Sequence, residues 1–519
     1  MKYTFEILEN EYWWGGLTCD TLQCPYGRES EYEINLAIRS GNQSSPFFVS
    51  NKGRYIWSEH PFAIRFEKGV ITIEGNEVEL VHAGATLKEA FLDAKDRHFP
   101  PDGKILPDVF FKTTQYNTWM EYTYNPTQQK VLEYAHAIID NGFKPGVLII
   151  DEGWHGRYGL WEFDKSKFPD PKAMTDELHA LGFTVMLWVV PFVSCDGQSF
   201  VTNTRSEIGF GDINVDKRFL RNAGGDVAIV NWWNGYSAIL DMRNPVDCDY
   251  LESKLRKLME DYGVDGFKFD GGSVEVYNPE AVINGPASPD MDSTALNIAW
   301  NEFGRRFEMH EYKDTFKGGG KNCIQRIRDR NHEWYPDGIN TIIPCAINQG
   351  LTGYPFICPD MIGGGEWTCT INPDVSIDAE LFVRMAFVSA MFPMMQFSWA
   401  PWRALSSEHL AMVRKASELH DKMSDEIIAL VRSSEQSGEP IIRSLEYSYP
   451  GNGYEHIADE FLLGSNILVA PVVTPNTYER KVVFPYGNWS DESGRIFEGP
   501  CEAILPAPLD ELLWFRKMK

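Results

Sequence analysis

The segment that decides the fold is Tyr262-Gly263-Val264-Asp265-Gly266-Phe267-Lys268-Phe269-Asp270-Gly271-Gly272. It predicts a short buried strand that ends at a carboxylate and then turns at two glycines. Because side chains alternate along a strand, Phe267 and Phe269 share one face while Lys268 and Asp270 share the other. Parallel α/β barrels hold their catalytic groups at such strand ends, and the Lys268 ammonium favours the ionised carboxylate that a nucleophile requires. Taken alone, the pattern fits equally well an Asp that caps the next turn.

Short apolar strands alternate with helices between residues 105 and 432. The predicted strands cover residues 147–150, 184–193, 238–241, 266–270, 323–328, 356–360 and 394–399. Three helices are expected to begin where Asn or Asp precedes Pro, at Pro126, Pro171 and Pro245, because such pairs start helices well. This rhythm predicts an α/β fold, a (β/α)8 TIM barrel. An open doubly wound sheet is the alternative, but the sequence lacks the G-x-G-x-x-G and P-loop motifs of its nucleotide sites.

The sequence has a β-like character on both sides of the barrel region. Residues 31–38 and 70–80 alternate polar and apolar side chains, so we predict an N-terminal β-sandwich over residues 1–104. After a long helix at about 406–432, the apolar runs 467–473 and 480–485 predict further strands. The predicted division is therefore an N-terminal sandwich over 1–104, a catalytic barrel over 105–432 and a small C-terminal β-sandwich over 433–519.

Charge and cysteine content limit the classes of partner and the compartment. With 74 acidic against 48 basic residues, the formal net charge is −26. Such a surface repels phosphate backbones and anionic lipids, so we expect neither a nucleic-acid nor a membrane partner. The nine cysteines include no C-x-x-C pair, and the sequence shows no signal-like N-terminus, which together favour reduced thiols and a cytoplasmic location. The existence of a homo-oligomer is left open.

Five acidic residues follow the predicted barrel strands: Asp151, Asp241, Asp270, Asp329 and Asp360. Because the carboxyl ends of barrel strands meet on one face, we expect these carboxylates to share a site. Any one of them alone could be a turn former, but the whole set favours a common function. Carboxylates bind sugar hydroxyls well, and cleavage of a glycosidic bond needs a pair of acids. No His-rich or Cys-rich cluster accompanies them, so we predict no metal and no cofactor.

The second acid of such a pair has two candidates. Asp329 lies among three arginines in the segment Gln325-Arg326-Ile327-Arg328-Asp329-Arg330. Arginines that pointed at Asp329 would lower its pKa and oppose a role as general acid, although alternation directs two of them, Arg328 and Arg330, away from it. Asp337 in Tyr335-Pro336-Asp337-Gly338 is the competing candidate, and its surroundings also fit a simple turn.

Several motifs resemble those of glycoside hydrolase family 31, whose members are α-glycosidases with a retaining mechanism. They are Trp13-Trp14-Gly15-Gly16, residues 168–174 and 178–183, the strand at 266–270, residues 353–364 and the apolar run 467–473. Residues 187–193, 232–235 and 395–403 are similar to the α-galactosidase-like branch of the family. The sequence departs from commoner members by Gly271-Gly272 in place of Asn-Glu, and by Gln396-Phe397-Ser398 in place of Arg-Asn-His.

The resemblance implies a role for each candidate residue. Asp270 corresponds to the nucleophile, and Asp329, in the Arg-x-x-Asp-Arg pattern of residues 326–330, corresponds to the general acid/base. The expected substrate-binding residues are Asp151, Glu152, Trp188, Trp233, Lys268, Arg326, Asp360 and Trp399. For Trp188 and Trp233, burial in the barrel core is an equally good interpretation, and Asp360 is either a ligand or a support behind the site.

The activity that follows from these motifs is exo-acting, retaining hydrolysis of an α-galactoside, with a small α-glycoside or oligosaccharide as substrate. The enzyme alternatives are an α-glucosidase, an α-xylosidase or an α-N-acetylgalactosaminidase, and a transglycosylase that uses the same intermediate. A non-catalytic carbohydrate-binding protein is an alternative from a different class. The presence of both Asp270 and Asp329 argues against it, because binding alone does not need a catalytic pair of acids.

Overall fold

Two antiparallel sheets form the N-terminal part of the computed structural model, which describes residues 1–19, 23–197, 200, 218–371 and 376–518. One sheet has the strand order Lys2–Glu6, Val70–Glu74, Ala63–Glu67 and Tyr32–Asn35. In the other sheet, Gln43–Ser50 pairs with Trp13–Leu17 and Arg54–Trp57, and Arg54–Trp57 pairs with Glu79–His82. The two sheets share an apolar core that includes Trp13, Phe48 and Phe66, as a β-sandwich requires.

A single helix, Leu87–His98, leads from this sandwich towards the barrel. It begins with a capping box, in which the Thr86 side chain accepts from the backbone of Glu89 while the Glu89 side chain accepts from the backbone of Thr86. Its buried face includes Leu87 and Phe91.

Eight strand positions form a closed parallel barrel. Its strands are Gln115–Asn117, Val147–Ile150, Thr184–Val189, Gly266–Phe269, Met309–Tyr312, Ile324–Arg326, Ile357–Cys358 with Met361–Ile362, and Gln396–Phe397. The seventh strand is interrupted at Pro359 and Asp360. Its first half pairs with the sixth strand and its second half with the eighth, so the interruption lies where the sheet closes. The predicted TIM barrel is confirmed.

Within the described part of the chain, seven longer helices accompany the barrel strands: Gln128–Asp140, Pro171–Ala180, Pro245–Tyr262, Ser293–Gly304, Ile342–Leu351, Ala379–Ala390 and Ser407–Ser437. Short helical turns lie at Val109–Lys112, Trp119–Tyr122, Pro279–Ala281, Ile339–Thr341, Thr368–Ile371 and Pro401–Ala404. Asp170 and Asn244 cap the helices that begin at Pro171 and Pro245, as predicted. The third predicted start was wrong, because Thr127 caps the helix that begins at Gln128.

The predicted barrel strand at 238–241 was also wrong. Gly235–Ile239 instead forms the middle of a small antiparallel sheet with Phe192–Ser194 and Ile229–Trp232, inserted after the third barrel strand. Asp241 follows this inserted sheet, and its carboxylate binds Arg243 outside the barrel mouth. The sequence prediction also missed two true barrel strands, Gln115–Asn117 and Met309–Tyr312, because both bury polar side chains.

The C-terminal domain is a connected antiparallel sheet of six strands. Their order is Ile442–Arg443, Phe461–Leu463, Ile467–Val469, Trp514–Lys517, Glu479–Ser490 and Ile496–Pro506, with the short helix Leu445–Ser448 beside them. The last two strands form a long hairpin that buries Val482, Phe484 and Leu505 against Leu462 and Leu468. The predicted domain boundaries at 104/105 and 432/433 remain predictions. Within the described residues, every helix is too short or too polar to cross a bilayer.

The turn after the fourth strand is closely packed, which gives a test of the fold. A Cβ atom at Gly272 would lie 2.1 Å from Cδ1 of Trp300, a fully buried ring that packs on Phe269. We expect Gly272→Ala to destabilise the protein by about 1–3 kcal/mol through overpacking. Thermal melting measures this effect, with Gly156→Ala as the control because its Cβ would approach nothing closer than 3.8 Å. Equal melting temperatures for the two variants would contradict the packing described here.

Candidate active site

A cavity of about 510 Å³ opens at the carboxyl ends of the barrel strands. Eight of the predicted site residues line it: Asp151, Glu152, Trp188, Trp233, Lys268, Asp270, Arg326 and Asp329. A larger cavity of about 620 Å³ lies between the long helix and the C-terminal sheet, but its acids form exposed ion pairs such as Lys415 with Asp510. The barrel cavity is the one that combines converging strand ends with buried carboxylates.

Asp270 lies at the carboxyl end of the fourth strand, and the packing of that strand's two faces determines where it points. Phe267 and Phe269 point away from the cavity and pack among other aromatic rings, so Lys268 and Asp270 point into it. The Asp270 carboxylate accepts from Trp188 Nε1 at 2.9 Å and from the Gly271 amide at 2.7 Å. Burial raises the pKa of Asp270, but the ammonium groups of Lys313 and Lys268 outweigh it and hold the pKa below its usual value. Asp270 is therefore an ionised, oriented carboxylate.

Asp329 lies between two cationic side chains. Its Oδ1 atom accepts from Arg326 Nη1 at 2.7 Å, and its other oxygen binds the Lys313 ammonium. Burial opposes ionisation, but Lys313 and Arg326 outweigh it and hold the pKa of Asp329 well below its usual range. Arg328 and Arg330 point away from Asp329, as predicted, towards Asp337 and towards the Pro359 carbonyl. In the free protein Asp329 is therefore ionised.

Asp151 and Lys268 form a buried ion pair at the base of the cavity. Lys268 Nζ lies 2.6 Å from Asp151 Oδ2, and the same oxygen accepts from Asn117 Nδ2 at 2.7 Å. The sequence predicts that Lys268 maintains the charge of Asp270; the structure gives it Asp151 as its direct partner and Asp270 as a second, through-space partner. Both side chains are oriented by these bonds and still line the cavity.

Glu152 differs from Asp270 and Asp329, because its pKa is raised and not lowered. Its Oε1 atom accepts from the Tyr158 hydroxyl at 2.5 Å and also contacts the Asn234 amide. Burial raises the pKa of Glu152 to about 8, and the nearby charges of Asp151 and Asp270 add to the effect, while the Tyr158 hydrogen bond opposes it. At neutral pH Glu152 is therefore mostly a neutral acid that can donate a hydrogen bond.

Two residues that we expected to bind substrate do not line the cavity. Asp360 lies behind it and accepts from Arg326 Nη1 at 2.9 Å and from the Arg330 amide at 2.8 Å. Trp399 is buried beside the seventh-strand turn, where its Nε1 atom donates to the Gly364 carbonyl at 3.3 Å. For Asp360 this favours the supporting role that the sequence left open, because its oxygens are occupied by Arg326 and the backbone.

The competing general acid, Asp337, lies elsewhere. Its carboxylate pairs with Arg328, and together with Cys19 and Arg39 it lines a separate surface depression. Asp337 is therefore outside the cavity that contains Asp270, and the geometry favours Asp329.

Sequence reasoning missed five residues that line the cavity: Trp119, Tyr124, Asn234, Lys313 and Trp367. Three aromatic side chains, Tyr124, Trp233 and Trp367, are between 37% and 52% exposed and form its outer part. Lys313 matters most, because it is the largest charge influence on both Asp270 and Asp329. Lys313 directly follows the strand Met309–Tyr312, and recognising that strand in the sequence would have pointed to it.

Behind the cavity lies a buried charged layer. Glu311, on the fifth strand, is 3.6 Å from Arg326 Nε and accepts from Gln396 Nε2 at 3.4 Å. Burial raises the pKa of Glu311, although Arg326 and Lys268 oppose the effect. Among the residues that the structure describes, there is no cluster of three His, Cys, Asp or Glu side chains arranged to hold a metal ion.

Two family models match the chain. Residues 106–426 match the model described as the glycosyl hydrolases family 31 TIM-barrel domain, and residues 438–517 match the glycosyl hydrolase family 31 C-terminal domain. The chain belongs to glycoside hydrolase family 31.

Similar proteins within this family carry different names. The myogenesis-regulating glycosidase of Mus musculus is 32% identical over 429 residues, which is 81% of this chain and 58% of the mouse protein. Alpha-glucosidase 2 of Bacillus thermoamyloliquefaciens is 26% identical over 76% of this chain and 51% of its own length. The chain therefore spans little more than half the length of these two relatives.

The fold also matches solved structures of the family. The cycloalternan-degrading enzyme of Trueperella pyogenes, in complex with a covalent intermediate, superimposes with a TM-score of 0.81 at 18% identity. The match covers 100% of this chain and 77% of that one. At this identity the likeness shows the common fold.

The raised pKa of Glu152 predicts a pH-dependent affinity. Below about pH 8 its carboxyl is neutral, and above it a fourth anion joins Asp151, Asp270 and Asp329 in the cavity. We expect the wild-type KM for a glycoside to rise above pH 8, whereas Glu152→Gln, which is neutral at every pH, shows no such rise. Steady-state kinetics between pH 6 and 9 measure the difference. Parallel KM profiles for the two proteins would show that Glu152 does not titrate in this range.

The position of Lys313 predicts a second pH effect. Lys313→Met removes the ammonium that favours the ionised forms of Asp270 and Asp329, so the pKa of both carboxyls rises. We expect both limbs of the pH profile of kcat/KM to move to higher pH. Lys317→Met is the control, because Lys317 pairs with Glu59 away from the cavity. Unmoved limbs in Lys313→Met would contradict the assigned electrostatics.

Proposed function

We propose that the protein is an exo-acting α-glycoside hydrolase that retains anomeric configuration, and that its preferred substrates are α-galactosides. The observation that supports this best is the pair Asp270 and Asp329, two strand-end carboxylates that face one cavity and share Lys313 as a neighbour. A cavity of about 510 Å³ lies within the range of small-ligand sites.

In the first step, an oxygen of Asp270 attacks the anomeric carbon as the bond to the leaving oxygen breaks. Protonated Asp329 gives its proton to that oxygen. In the second step, a water oxygen attacks the same carbon, Asp329 takes the proton of the water, and the bond to Asp270 breaks. The Trp188 and Gly271 hydrogen bonds leave Asp270 with a fixed orientation for attack.

The ionised state of Asp329 in the free protein fits the second step better than the first. Lys313 and Arg326 stabilise the carboxylate that acts as a base towards water. For the first step Asp329 must gain a proton, and the protonated fraction falls as pH rises. The proposal therefore implies an activity that declines towards alkaline pH.

The remaining polar groups of the cavity suit sugar hydroxyls. The Asp151 and Lys268 pair offers acceptor and donor atoms at the base, and neutral Glu152 with Asn234 offers both kinds at the side. Exposed rings such as Trp233 and Trp367 offer apolar faces to sugar C–H groups. The preference for galactose rests on the branch-specific motifs at 187–193, 232–235 and 395–403.

The test is a panel of aryl α-glycosides: galactoside, glucoside, xyloside and N-acetylgalactosaminide. We expect turnover of the galactoside, with a loss on the order of 1,000-fold or more in Asp270→Asn, because the covalent step needs the carboxylate. Asp241→Asn is the matched control, since Asp241 follows a strand outside the cavity. Proton NMR of the first-formed product is expected to show the α-anomer.

Each alternative has its own outcome in this experiment. Turnover of the glucoside alone, the activity named in the Bacillus relative, would keep the mechanism and discard the galactoside preference. A β-anomer as first product would discard retention. Transfer to an added sugar acceptor would indicate a transglycosylase. Inactivity on every substrate, with bound sugar detected by calorimetry, would favour a carbohydrate-binding protein.

A further inference from the structure

Lys313 occupies the point where the chain leaves one sheet and joins another. It follows the fifth barrel strand, Met309–Tyr312, and precedes Thr315–Phe316. That short strand does not continue the barrel; it pairs in parallel with Gln43 and Ser44 at the edge of the N-terminal sandwich. The N-terminal domain therefore determines the path of the backbone next to a cation of the active site.

One buried side chain connects the two cationic partners of Asp329. The Gln43 amide nitrogen donates to the carbonyl of Arg326 at 2.9 Å and to the carbonyl of Lys313 at 3.1 Å. It also lies 3.3 Å from Gln325 Oε1. These three neighbours are all acceptors, so the amide nitrogen of Gln43, and not its oxygen, faces them. Gln43 has no exposed surface.

The adjacent residues of the N-terminal domain strengthen the same attachment. Asn42 Nδ2 donates to the Lys313 carbonyl at 2.6 Å, and the Asn42 carbonyl accepts from the Thr315 amide at 2.9 Å. The Asp314 carboxylate accepts from the Ser40 hydroxyl at 2.8 Å and from the backbone amide of Asn42 at 3.1 Å. The backbone on both sides of Lys313 is thus tied to residues 40–43.

We propose that Gln43 is a positioning residue for the acid/base Asp329, and that it acts by fixing the separation between the backbones of Lys313 and Arg326. The proposal rests on the assignment of Asp329 under the proposed function. Lys313 and Arg326 bind opposite oxygens of the same carboxylate, so their separation determines whether both can reach it.

The separation matters because both contacts are charge-assisted and poorly screened by solvent. Arg326 is fully buried, and the side chains of Lys313 and Asp329 are about one-fifth exposed. Under these conditions a shift of the Lys313 backbone changes both the orientation and the acidity of Asp329. The other charges near Asp329 are Lys268, Asp270 and Asp360, which belong to the barrel and do not contact Gln43.

The decisive variant is Gln43→Met, which keeps the approximate side-chain volume and removes the donors. We expect kcat/KM to fall by roughly 10-fold to 100-fold, mainly through kcat, because small displacements of catalytic groups have effects of this size. We also expect the alkaline limb of the pH profile to move to higher pH, since Lys313 and Arg326 would stabilise ionised Asp329 less well.

Asn42→Gly is a milder second variant for the case in which Gln43→Met does not fold. Asn42 has a backbone φ of 77°, which glycine adopts without strain, so this change removes only the side-chain donor to Lys313. We expect the same direction of change with a smaller amplitude. A wild-type pH profile in a folded Gln43→Met or Asn42→Gly would overturn the proposal.

Asn348→Leu is the matched control for domain attachment. Asn348 is also a fully buried amide at the junction of barrel and sandwich, where it bonds to the backbone of Gly15 and Leu17. We expect this variant to melt at a lower temperature and to keep the wild-type pH profile. An equal shift of the pH profile in the control would show that loosening the domain junction is sufficient, which would contradict a specific role of Gln43.

A crystal structure of Gln43→Met supplies a readout that does not depend on turnover. We expect the Arg326 Nη1 to Asp329 Oδ1 contact, 2.7 Å in the wild-type protein, or the Lys313 contact to lengthen beyond hydrogen-bonding distance. If both contacts persist, the proposal is wrong whatever the activity. If they open but the wild-type protein cleaves no glycoside, the positioning role holds while the proposed function fails.

Discussion

The candidate active site depends on the balance between buried acids and the three cations placed among them. Asp151, Asp270 and Asp329 face one cavity, and such carboxylates repel each other strongly where water is scarce. Lys268 pairs with Asp151, while Lys313 and Arg326 pair with Asp329. Because Asp151 and Asp329 pair with different cations, the carboxylates remain separate in orientation and acidity. Among the described residues Glu152 has no cationic partner, and burial raises its pKa to about 8.

The interrupted seventh strand contributes to the same arrangement of charges. Asp360 adopts a backbone φ of 123°, a conformation that L-residues rarely take, and it lies where the strand breaks. Its carboxylate binds Arg326 and two backbone amides, those of Arg330 and Met361. These bonds offset the backbone strain and fix the guanidinium that in turn holds Asp329. A local irregularity of the barrel thus serves the orientation of a catalytic candidate two contacts away.

The sequence was most informative where local pattern and final structure agree. The alternation of Phe267 and Phe269 with Lys268 and Asp270 predicts the observed strand, its two faces and its carboxylate. Strands with buried polar side chains could not be recognised in this way. Glu311 lies on a strand without an apolar run, and Arg326 faces it from the next strand. Lys313 was missed for the same reason.

Contacts between distant segments were also beyond the reach of the sequence pattern. The apolar run at 238–241 resembles a barrel strand, but its partners in the inserted sheet decide its place. Trp399 lies in a family motif, yet it does not line the cavity. Its Nε1 atom donates to a backbone carbonyl instead. The roles of Gln43 and Asn42 depend on residues more than 250 positions away, so no local rule could assign them.

The parallel pairing of Gln43 and Ser44 with Thr315 and Phe316 has a consequence for how the chain folds. During synthesis from the N-terminus, this edge of the sandwich cannot find its partner strand until the first five strands of the barrel have been made. Such a late, long-range contact slows folding and leaves a strand edge open to other chains in the meantime. For the same reason, a barrel without the first hundred residues would lack the strand pairing beside Lys313, even if all its own strands had formed.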